Sequence, residues 1–546
     1  MNPNFQLLDY VIFGIYAVVI LSVGLWVSRS KGKKKTAEDY FLASKSLPWW
    51  AIGASLIAAN ISAEQFIGMS GSGFAVGLAI ASYEWMAAIT LLIVGKYFLP
   101  IFIKQGLYTI PEFIEKRFNT SLKTILAVFW IALFIFVNLT SVLYLGAKAL
   151  DTILGLGDGT KIIPFMIGLA LFAAAYSIWG GLSAVAWTDV IQVILLVVGG
   201  LITTIIALQN VTPDGGAMEG LSHIFQVADE KFHMILKKDN PEFANLPGIA
   251  VLIGGMWIAN LYYWGFNQYI IQRALAAKSL REAQRGIAFA GYLKLIIPII
   301  VVIPGIIAYV MFSQPEGTSV IPGVTEVFSK ADGGIDFDRS YPWLISTFIP
   351  VGIKGLVVAA LSAAIVSSLA SMLNSTSTIF TMDIYKPFIG KGKDNGNLVT
   401  VGRITVLVAL AIAVSLANKL GSIPQMFQYI QEYTGLVSPG ILAVFLMGLF
   451  WKKTSVKGAI IGVVSSIPVA LALKLLPLDM PFLDQMLYTF IITLVVILFV
   501  SLTSGEGDDN PKGIPLLKET FVTGKVFNIA AYAMLVILAI LYVVFW

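Results

Sequence analysis

Two charged residues stand inside long apolar segments of this 546-residue chain, and neither has an oppositely charged neighbour close by in its own segment. Glu84 lies in AIASYEWMAAIT, and Lys294 lies in AFAGYLKLIIP. An ionisable group within a membrane segment faces the protein interior and needs a partner, either another helix or a ligand. A neutral polyol would suit both residues, because each hydroxyl can donate to a carboxylate and accept from an ammonium.

Amide and aromatic side chains in other segments fit the same polyol chemistry. Side-chain amides both donate and accept hydrogen bonds, and the candidates are Gln65, Asn260 and Gln431. An aromatic ring can cover the apolar face of a sugar, and the candidates are Tyr262, Tyr263 and Trp264. The residues predicted to close the other side are Met69, Tyr83 and Phe427. The alternative for any one of the polar residues is an interhelical hydrogen bond, or for Lys294 a side chain that extends to the membrane surface.

A further segment, AALSAAIVSSLASMLNSTST, combines small residues with hydroxyls and carries no charge. Its adjacent Ser367 and Ser368 could join backbone carbonyls freed at a helix break, in an all-oxygen site for a hard monovalent cation. Proton coupling would need a titratable group at this position, so sodium is favoured over protons. The structural alternative is that these serines bond to their own i−4 carbonyls and that small residues allow close helix packing.

Asp189, in the segment GGLSAVAWTDVIQV, admits three interpretations. It could guide a cation near the inner end of a span, relay protons or cap a helix. Residue type alone favours the helix cap.

The composition places these residues in a membrane protein. Hydrophobic residues make up 58% of the chain and charged residues 12%, against roughly 25% charged in soluble domains. The net charge of +5 is too small and too scattered for a nucleic-acid partner. The chain has no cysteine and two histidines, which excludes disulfides and thiolate sites and leaves little imidazole chemistry.

Apolar runs long enough to cross a bilayer recur along the chain and predict about fourteen spans, with both termini outside. The first run is predicted to be an uncleaved span, because no basic residue precedes it and no small-residue cleavage site follows it. Lysine and arginine gather in alternate connections, as the positive-inside rule requires. The predicted spans are residues 10–28, 48–71, 77–103, 122–150, 161–178, 182–208, 248–271, 284–312, 352–380, 399–418, 425–450, 456–475, 482–503 and 526–546.

Spans 48–71 and 248–271 are interrupted by polar and small residues, which predicts a helix break in each. In the first span the polar residues are Asn60, Ser62, Glu64 and Gln65, and in the second they are Asn260 and Asn267. The alternative is irregular helix packing, since this region also holds the small residues Gly68, Gly71, Gly73 and Gly77.

The two broken spans are five helices apart and cross in opposite senses, as an inverted repeat of five plus five spans requires. In such folds the substrate lies at the midplane between the broken helices, and one bundle moves against the other. The predicted organisation is an extra helix and basic inner loop at 1–47, a first repeat at 48–210, an outer loop at 211–247, a second repeat at 248–450 and three extra helices at 451–546.

Competing function classes lack their signatures in this chain. A channel would need a filter such as TVGYG or a ring of charge, and neither is visible. An ATP-driven pump would need a G-x-x-x-x-G-K-[ST] loop, and serine hydrolysis a G-x-S-x-G elbow with an accessible histidine. The residues therefore predict a transporter rather than an enzyme, with no cofactor.

Four long segments resemble the sodium/solute symporter family, and look most like its bacterial sodium/galactose branch, over nearly the whole chain. They are DYFLASKSLPWWAIGASLIAANISAEQFIGMSGSG, YYWGFNQYIIQRALAAKS, AAIVSSLASMLNSTSTIFTMDIY and FQYIQEYTGLVSPGILAVFLMGLFWKK. The resemblance implies an all-α polytopic membrane protein with the leucine-transporter type of 5+5 inverted-repeat fold. One helix would precede the ten-helix core and three would follow it.

The resemblance also implies roles for individual residues. Its sugar site corresponds to Gln65, Glu84, Asn260, Lys294 and Gln431, with Asn60 nearby and Tyr263 as the stacking ring and inner gate. Its outer gate corresponds to Met69, Tyr83 and Phe427. Its sodium site corresponds to the carbonyls of Ala58, Ile61 and Ala364 and the hydroxyls of Ser367 and Ser368, and Asp189 matches the acidic residue proposed to attract the leaving ion.

One departure bears on the cargo. The galactose branch has a serine facing the sugar one helical turn after the glutamate, where this chain has Ala87. Losing one such contact costs roughly 0.5 to 1.5 kcal/mol or changes the preferred epimer. The expectation is sodium-coupled symport of a monosaccharide, galactose or glucose, across a bacterial inner membrane, with inositol, proline or another small solute as the alternative cargo and the oligomeric state open.

Overall fold

The chain is helical throughout the part that the computed structural model describes, which contains two isolated β-bridges and no strand. The lysine-rich connection predicted after the first span, 29–44, and the acidic connection at 506–510 lie outside it. The described residues are 5–28, 45–107, 109–154, 161–179, 182–212, 215–314, 321, 323–330, 333–390, 395–505 and 511–546.

The two longest connections between the long helices, 210–249 and 314–352, each contain short helices of their own. The end of the bundle that carries these two connections is called the long-loop end. The first helices are α1 (Leu7–Ser28), α2 (Trp49–Asn60), a π-helical turn (Glu64–Met69), α3 (Ser70–Ala75), α4 (Leu78–Lys104), α5 (Ile110–Arg117), α6 (Thr120–Ile153), α7 (Ile162–Trp179) and α8 (Leu182–Gln209). The later helices are α9 (Ala217–Val227), α10 (Gly255–Phe266), α11 (Gln268–Leu275), α12 (Leu280–Ser313), α13 (Ser340–Phe348), α14 (Ile353–Phe388), α15 (Asn395–Ala417), α16 (Met426–Gly435), α17 (Ser438–Phe450), α18 (Val456–Leu475), α19 (Phe482–Thr503) and α20 (Lys525–Val544).

The described residues contain nine helices long and apolar enough to cross a membrane, or ten when a bent pair counts as one span. Two shorter apolar stretches are Leu7–Ile20 within α1 and Ile162–Ala175 within α7. The all-α, polytopic prediction is confirmed. The predicted spans 48–71 and 248–271 do not count by this measure, because their breaks divide them into shorter helices.

Both predicted helix breaks are present. α2 ends at Asn60, Ile61 has extended backbone angles, and the π-helical turn begins at Glu64. α10 ends at Phe266, and Asn267 is extended before α11 begins. Polar side chains close the first break, because Gln65 Oε1 accepts the Ser62 N–H at 3.1 Å and Ser62 Oγ accepts the Glu64 N–H at 3.2 Å. The freed backbone groups are thus satisfied inside the protein.

A third break was not predicted. The run 425–450 reads as one apolar span, yet it forms α16 and α17, which meet at an angle of 49°. The two connecting residues, Leu436 and Val437, are both aliphatic. Pro439 lies at the start of α17, where a proline fits a helix N-terminus.

Close glycine contacts hold both halves of the first broken span against α12. A Cβ on Gly53 of α2 would lie 2.7 Å from the Gly286 carbonyl oxygen, and one on Gly73 of α3 would lie 2.7 Å from the Val302 carbonyl oxygen. A Cβ on Gly305 of α12 would lie 2.1 Å from the Ser70 carbonyl oxygen. In a bilayer, where helices gain little from hydrophobic burial, such close approach supplies packing energy. Lys294 lies on α12 between these contacts and is therefore held beside the break.

Asp9 of α1 accepts hydrogen bonds from the start of α14. Its Oδ1 accepts the N–H groups of Gly352 and Gly355, at 2.7 and 2.9 Å. A carboxylate at a helix N-terminus satisfies free N–H groups and is favoured by the helix dipole. A Cβ on Gly355 would lie 2.5 Å from the Asp9 carbonyl oxygen, so the two helices are in direct contact there.

Candidate functional site

A polar cavity of about 50 Å³ lies beside the first helix break. It is bounded by the break itself and by α4, α6, α10, α12 and α16. Its predicted lining residues are Asn60, Gln65, Tyr83, Glu84, Asn260, Tyr262, Tyr263, Trp264, Lys294, Phe427 and Gln431. Ala87 also lines it, along with Glu64, Asn138, Asn267 and Thr434, which were not assigned to the site from the sequence. The structure therefore brings the polar candidates from five regions of the chain to one place.

Glu84 and Lys294, each predicted to need a partner from elsewhere, are partners of each other. Lys294 Nζ donates to the Glu84 carboxylate and to Asn60 Oδ1. The exposed fractions are 1% for Lys294, 3% for Glu84 and 6% for Asn60. The ammonium also lies 5.0 Å from the centre of the Trp264 ring, within cation–π range. α4, α12 and the end of α2 are thereby joined through one buried cation.

Tyr263 lies on the side of the cavity next to the second break. Its hydroxyl accepts from Asn60 Nδ2 at 3.1 Å and from the Tyr269 hydroxyl at 3.0 Å. Asn260, one turn earlier on α10, donates from Nδ2 to the Met256 carbonyl at 3.2 Å, which leaves its Oδ1 to the cavity. Asn60 thus bonds to both Lys294 and Tyr263. A displacement of α10, which carries Tyr263, would therefore alter the hydrogen bonding of Lys294.

Aromatic contact closes another side of the cavity. The rings of Tyr83 and Phe427 meet edge to face, with their centres 5.0 Å apart. Met69 is fully buried in the π-helical turn but does not line the cavity. At about 50 Å³, the cavity is well below the roughly 150 Å³ of a cavity that binds benzene, so a larger ligand requires these side chains to move apart.

Glu64 is a second carboxylate in the cavity wall. Its Oε1 accepts a hydrogen bond from Gln431 Nε2 at 3.2 Å. With Glu84 and Lys294, it makes two carboxylates and one ammonium among the lining residues. Its position in a polar break was the available signal, but sequence alone does not separate it from its neighbour Gln65. The donors, acceptors and charges suit a neutral, hydroxyl-rich molecule better than an anion.

A second polar cluster surrounds Asp189, which is wholly buried in the interior of α8. Its carboxylate accepts from Ser55 Oγ at 2.6 Å and from Ser367 Oγ at 3.0 Å. Arg273 reaches the same carboxylate at 3.5 Å, and donates to Ser55 Oγ at 2.8 Å and to Ser371 Oγ at 3.2 Å. The favoured interpretation of Asp189 as a helix cap is wrong, because the helix continues on both sides of it and its carboxylate bonds to three other helices.

The other residues predicted for a cation site are Ala58, Ile61, Ala364 and Ser368, which follow or precede Ser55 and Ser367 of this cluster by a few positions in the chain. Ser368 Oγ is buried and has no hydrogen-bond partner, although Ser367 beside it donates to Asp189. Ala58 is two residues before the end of α2, and Ile61 is at the break. α2 packs against α14, which carries Ala364 and both serines. The ion-binding role of these five residues stays a prediction.

Residues 336–339 form a loop segment at the long-loop end, in which both aspartates are buried. Asp338 is fully buried, and its Oδ2 accepts the N–H of Met426, the first residue of α16, at 3.3 Å. Its Oδ1 would lie 2.6 Å from a Cβ at Gly71 of α3. The neighbouring Asp336 pairs with Lys148 of α6 and with Arg339, whose Nε lies 3.1 Å away. The segment therefore links α3, α6 and α16.

Comparison with known proteins places this arrangement in a family. Residues 40–465 match the model of the sodium:solute symporter family. The chain is 64% identical to the sodium/glucose cotransporter of Vibrio parahaemolyticus, over 100% of this chain and 99% of that protein. It is 34% identical to the human sodium/myo-inositol cotransporter 2, over 84% of this chain and 68% of that one.

Solved structures agree on the fold. A Na+-coupled sialic acid symporter, in a substrate-bound outward-open state, aligns with a TM-score of 0.75 and 26% identity over 92% of this chain and 98% of its own. A transporter of the nucleobase-cation-symport-1 family aligns with a TM-score of 0.51 and 14% identity over 89% and 98% of the two chains. The second likeness concerns the fold alone.

Removing one member of the Lys294–Glu84 pair should destabilise the protein more than removing both. Glu84→Leu leaves a buried ammonium without its carboxylate, which costs about 3 to 5 kcal/mol, whereas Glu84→Leu with Lys294→Met leaves no unpaired charge. Unfolding midpoints of the purified variants in one detergent would measure this. A double variant as unstable as the two single effects added together would contradict the pairing.

The closed state of the long-loop end, in which Asp338 is buried, should become less stable relative to an open state as pH rises. Burial raises the pKa of Asp338 from 3.8 to about 7, against the opposing charge of Lys148. The closed form therefore binds the proton more tightly than an open one, so its advantage declines from about pH 4 to about pH 7. Asp336 and Lys330 also face this carboxyl, and the first raises its pKa while the second lowers it.

Thr434→Cys in this cysteine-free chain gives the measurement. The rate at which a charged thiol reagent modifies that cysteine should rise more steeply between pH 5 and pH 8 than in the same variant with Asp338→Asn. The second variant corrects for ionisation of the thiol itself. Identical pH profiles in the two backgrounds would contradict the prediction.

Proposed function

This chain belongs to the sodium:solute symporter family, and we propose that it carries a neutral monosaccharide, glucose or galactose, into the cell together with sodium. Transport proceeds by alternating access, in which a central site opens to one side of the membrane at a time. No chemical step on the cargo is required, so the protein acts as a transporter and not as an enzyme.

The observation that carries this proposal is the buried group formed by Lys294, Glu84 and Asn60 in the cavity beside the helix break. Each of these polar atoms now bonds to another side chain. A sugar hydroxyl can replace such a partner without leaving a buried group unsatisfied, because it donates and accepts. Gln65, Asn260 and Gln431 supply further amides, and Tyr263 supplies a ring for the apolar face of the sugar.

The choice of cargo rests on charge and on one small residue. An anion would face both Glu64 and Glu84, and the carboxylate of a zwitterion such as proline would meet the same repulsion. Ala87 lines the cavity without a polar group, where the galactose branch has a serine. The 64% identical relative is a sodium/glucose cotransporter, which supports glucose beside galactose. myo-Inositol, also a neutral polyol, is the alternative cargo, supported by the inositol cotransporters at 34% identity.

The proposed sodium site consists of the carbonyl oxygens of Ala58, Ile61 and Ala364 with the hydroxyls of Ser367 and Ser368. The Ser367 hydroxyl donates a hydrogen bond to Asp189, which leaves the lone pairs of Ser367 Oγ available to a cation. The unpartnered Ser368 hydroxyl has the same capacity. A sodium ion that leaves Ser367 reaches the Asp189 carboxylate next, so Asp189 attracts the departing ion.

The proposed orientation puts the long-loop end and both termini outside a bacterial inner membrane. The basic connections then face the cytoplasm, as the positive-inside rule favours. Fourteen spans in a 5+5 inverted repeat, with one helix before the core and three after it, accommodate the breaks in spans 48–71 and 248–271. Met69, Tyr83 and Phe427 serve as the outer gate and Tyr263 as the inner gate.

Sodium entry supplies the driving force. The ion gradient adds to the membrane potential, which contributes about 2.3 kcal/mol per charge per 100 mV. Sodium at Ser367 and Ser368 favours the outward-open form, sugar then fills the cavity, the outer gate closes and both leave on the inner side.

Uptake of labelled glucose and galactose into proteoliposomes tests the transport function. Uptake should require an inward sodium gradient, and Asn260→Ala should reduce it by up to about tenfold, as expected from the loss of a hydrogen bond to the cargo. Asn210→Ala is the matched control, because Asn210 also donates to its own i−4 carbonyl but lies at the end of α8, away from the cavity. Equal uptake with sodium, potassium or no gradient would contradict the coupling.

Substitution of the proposed sodium ligand should change the sodium dependence selectively. Ser367→Ala should raise the sodium concentration for half-maximal uptake about tenfold, because one coordinating oxygen is lost. Thr378→Ala, on the same helix with its hydroxyl bonded to Asn374, should leave that concentration unchanged. A change only in the sugar concentration dependence in Ser367→Ala would argue against a sodium site there.

A further inference from the structure

A second cavity, of about 250 Å³, shares no lining residue with the polar one and lies between α1, α6, α7, α8 and α14. Its walls are almost wholly apolar, with residues such as Phe13, Ile20 and Leu169. Phe172, which also lines it, is 42% exposed on the outer face of α7, where Leu171 is 65% exposed. The cavity therefore reaches the surface that α1 and α7 present to the bilayer.

Four polar side chains stand among the apolar lining residues: Tyr16, Gln192, Ser362 and Ser367. Gln192 of α8 is 1% exposed and Ser362 of α14 is 8% exposed. Gln192 Oε1 and Ser362 Oγ have no hydrogen-bond partner, and both residues line the cavity. A buried polar atom without a partner is destabilising and uncommon in folded proteins. A ligand hydroxyl can both donate to an amide oxygen such as Gln192 Oε1 and accept from a hydroxyl such as Ser362 Oγ.

We propose that this cavity binds a membrane-soluble, single-chain amphiphile whose uncharged hydroxyl group bonds to Gln192 and Ser362. The hydrocarbon chain would lie along the apolar walls towards the gap beside Phe172. The volume exceeds the roughly 150 Å³ cavity in which benzene binds, so a chain with a small head fits. A phosphate head group is excluded, because an unpaired charge among these apolar side chains would be strongly disfavoured.

The site touches the helix that carries the proposed sodium ligands. Val366 and Ser367 of α14 lie in the same cavity wall as Ser362. Asp9 holds the N-terminal part of α1 against the start of α14, so α1 acts as a wall attached to that helix. A bound amphiphile packs against α14 and opposes any displacement of it. This consequence for sodium dependence rests on the proposed function, whereas the binding itself does not.

Photolabelling of the full-length protein in lipid nanodiscs tests the binding. The probe is a decanol analogue with a diazirine on its chain, and the adducts are located by mass spectrometry. We expect adducts on the α1, α7 and α14 residues that line the cavity, removed by excess 1-decanol and much less by decane. Adducts spread evenly over the lipid-facing helices, or equal competition by decane, would overturn the proposal.

Two variants separate hydroxyl recognition from simple filling of a gap. Gln192→Leu and Ser362→Ala should each weaken competition by 1-decanol about tenfold and leave competition by decane unchanged. Ala363→Phe should block labelling, whereas Leu171→Phe, on the lipid-facing side of α7, should not. If 1-decanol competes as strongly in Gln192→Leu and in Ser362→Ala as in the parent protein, the proposal is overturned. If one of the two variants folds poorly, the other alone decides this.

Two further measurements identify the source of the ligand and separate this inference from the transport function. A phosphatidylglycerol with a diazirine on its acyl chain should not label the cavity, and labelling by that probe in preference to the alcohol would overturn the proposal. Sodium-dependent sugar uptake is then measured in the Ala363→Phe variant. Cavity labelling without any uptake by the parent protein would refute the proposed function and leave the binding site supported.

Discussion

A buried ammonium needs a buried acceptor, and this requirement sets the relative positions of the helices around the polar cavity. Lys294 satisfies it with Glu84 and Asn60, which come from α4 and the broken end of α2. Asn60 then bonds to Tyr263 of α10. Unpaired charge inside a protein in lipid is so unfavourable that these elements must keep their register as long as no ligand replaces one of the partners.

Two helices, α2 and α11, contribute residues to both polar clusters. On α2, Ser55 bonds to Asp189 and Asn60 bonds to Lys294, five residues further along. On α11, the Tyr269 hydroxyl bonds to Tyr263, and Arg273 one turn later reaches Asp189. A displacement of either helix therefore alters both clusters. Two sites that bias the position of the same element are thermodynamically linked, which is the physical basis for coupling an ion to a cargo.

Features that depend on a residue and its neighbours along the chain were predictable, whereas contacts between distant helices were not. The breaks near Asn60 and Asn267 were predictable because polar residues interrupt apolar runs at these points. The bend between α16 and α17 was not predicted, although Gly435 precedes it and Pro439 follows it, because the run 425–450 was taken as one continuous span. The residue type of Asp189 favours a helix cap, but its hydrogen-bonding partners belong to three other helices, which the sequence around Asp189 does not reveal.

Composition and residue order are enough to establish that the chain lies in lipid, that it is helical, and which few polar groups need partners inside it. The pairing of Glu84 with Lys294, the place of Glu64 in the cavity wall and the second cavity at Gln192 and Ser362 follow from helix packing alone. The cost of burying a polar residue follows from its own type and its neighbours along the chain. The identity of its partner depends on how helices about two hundred residues apart pack against each other.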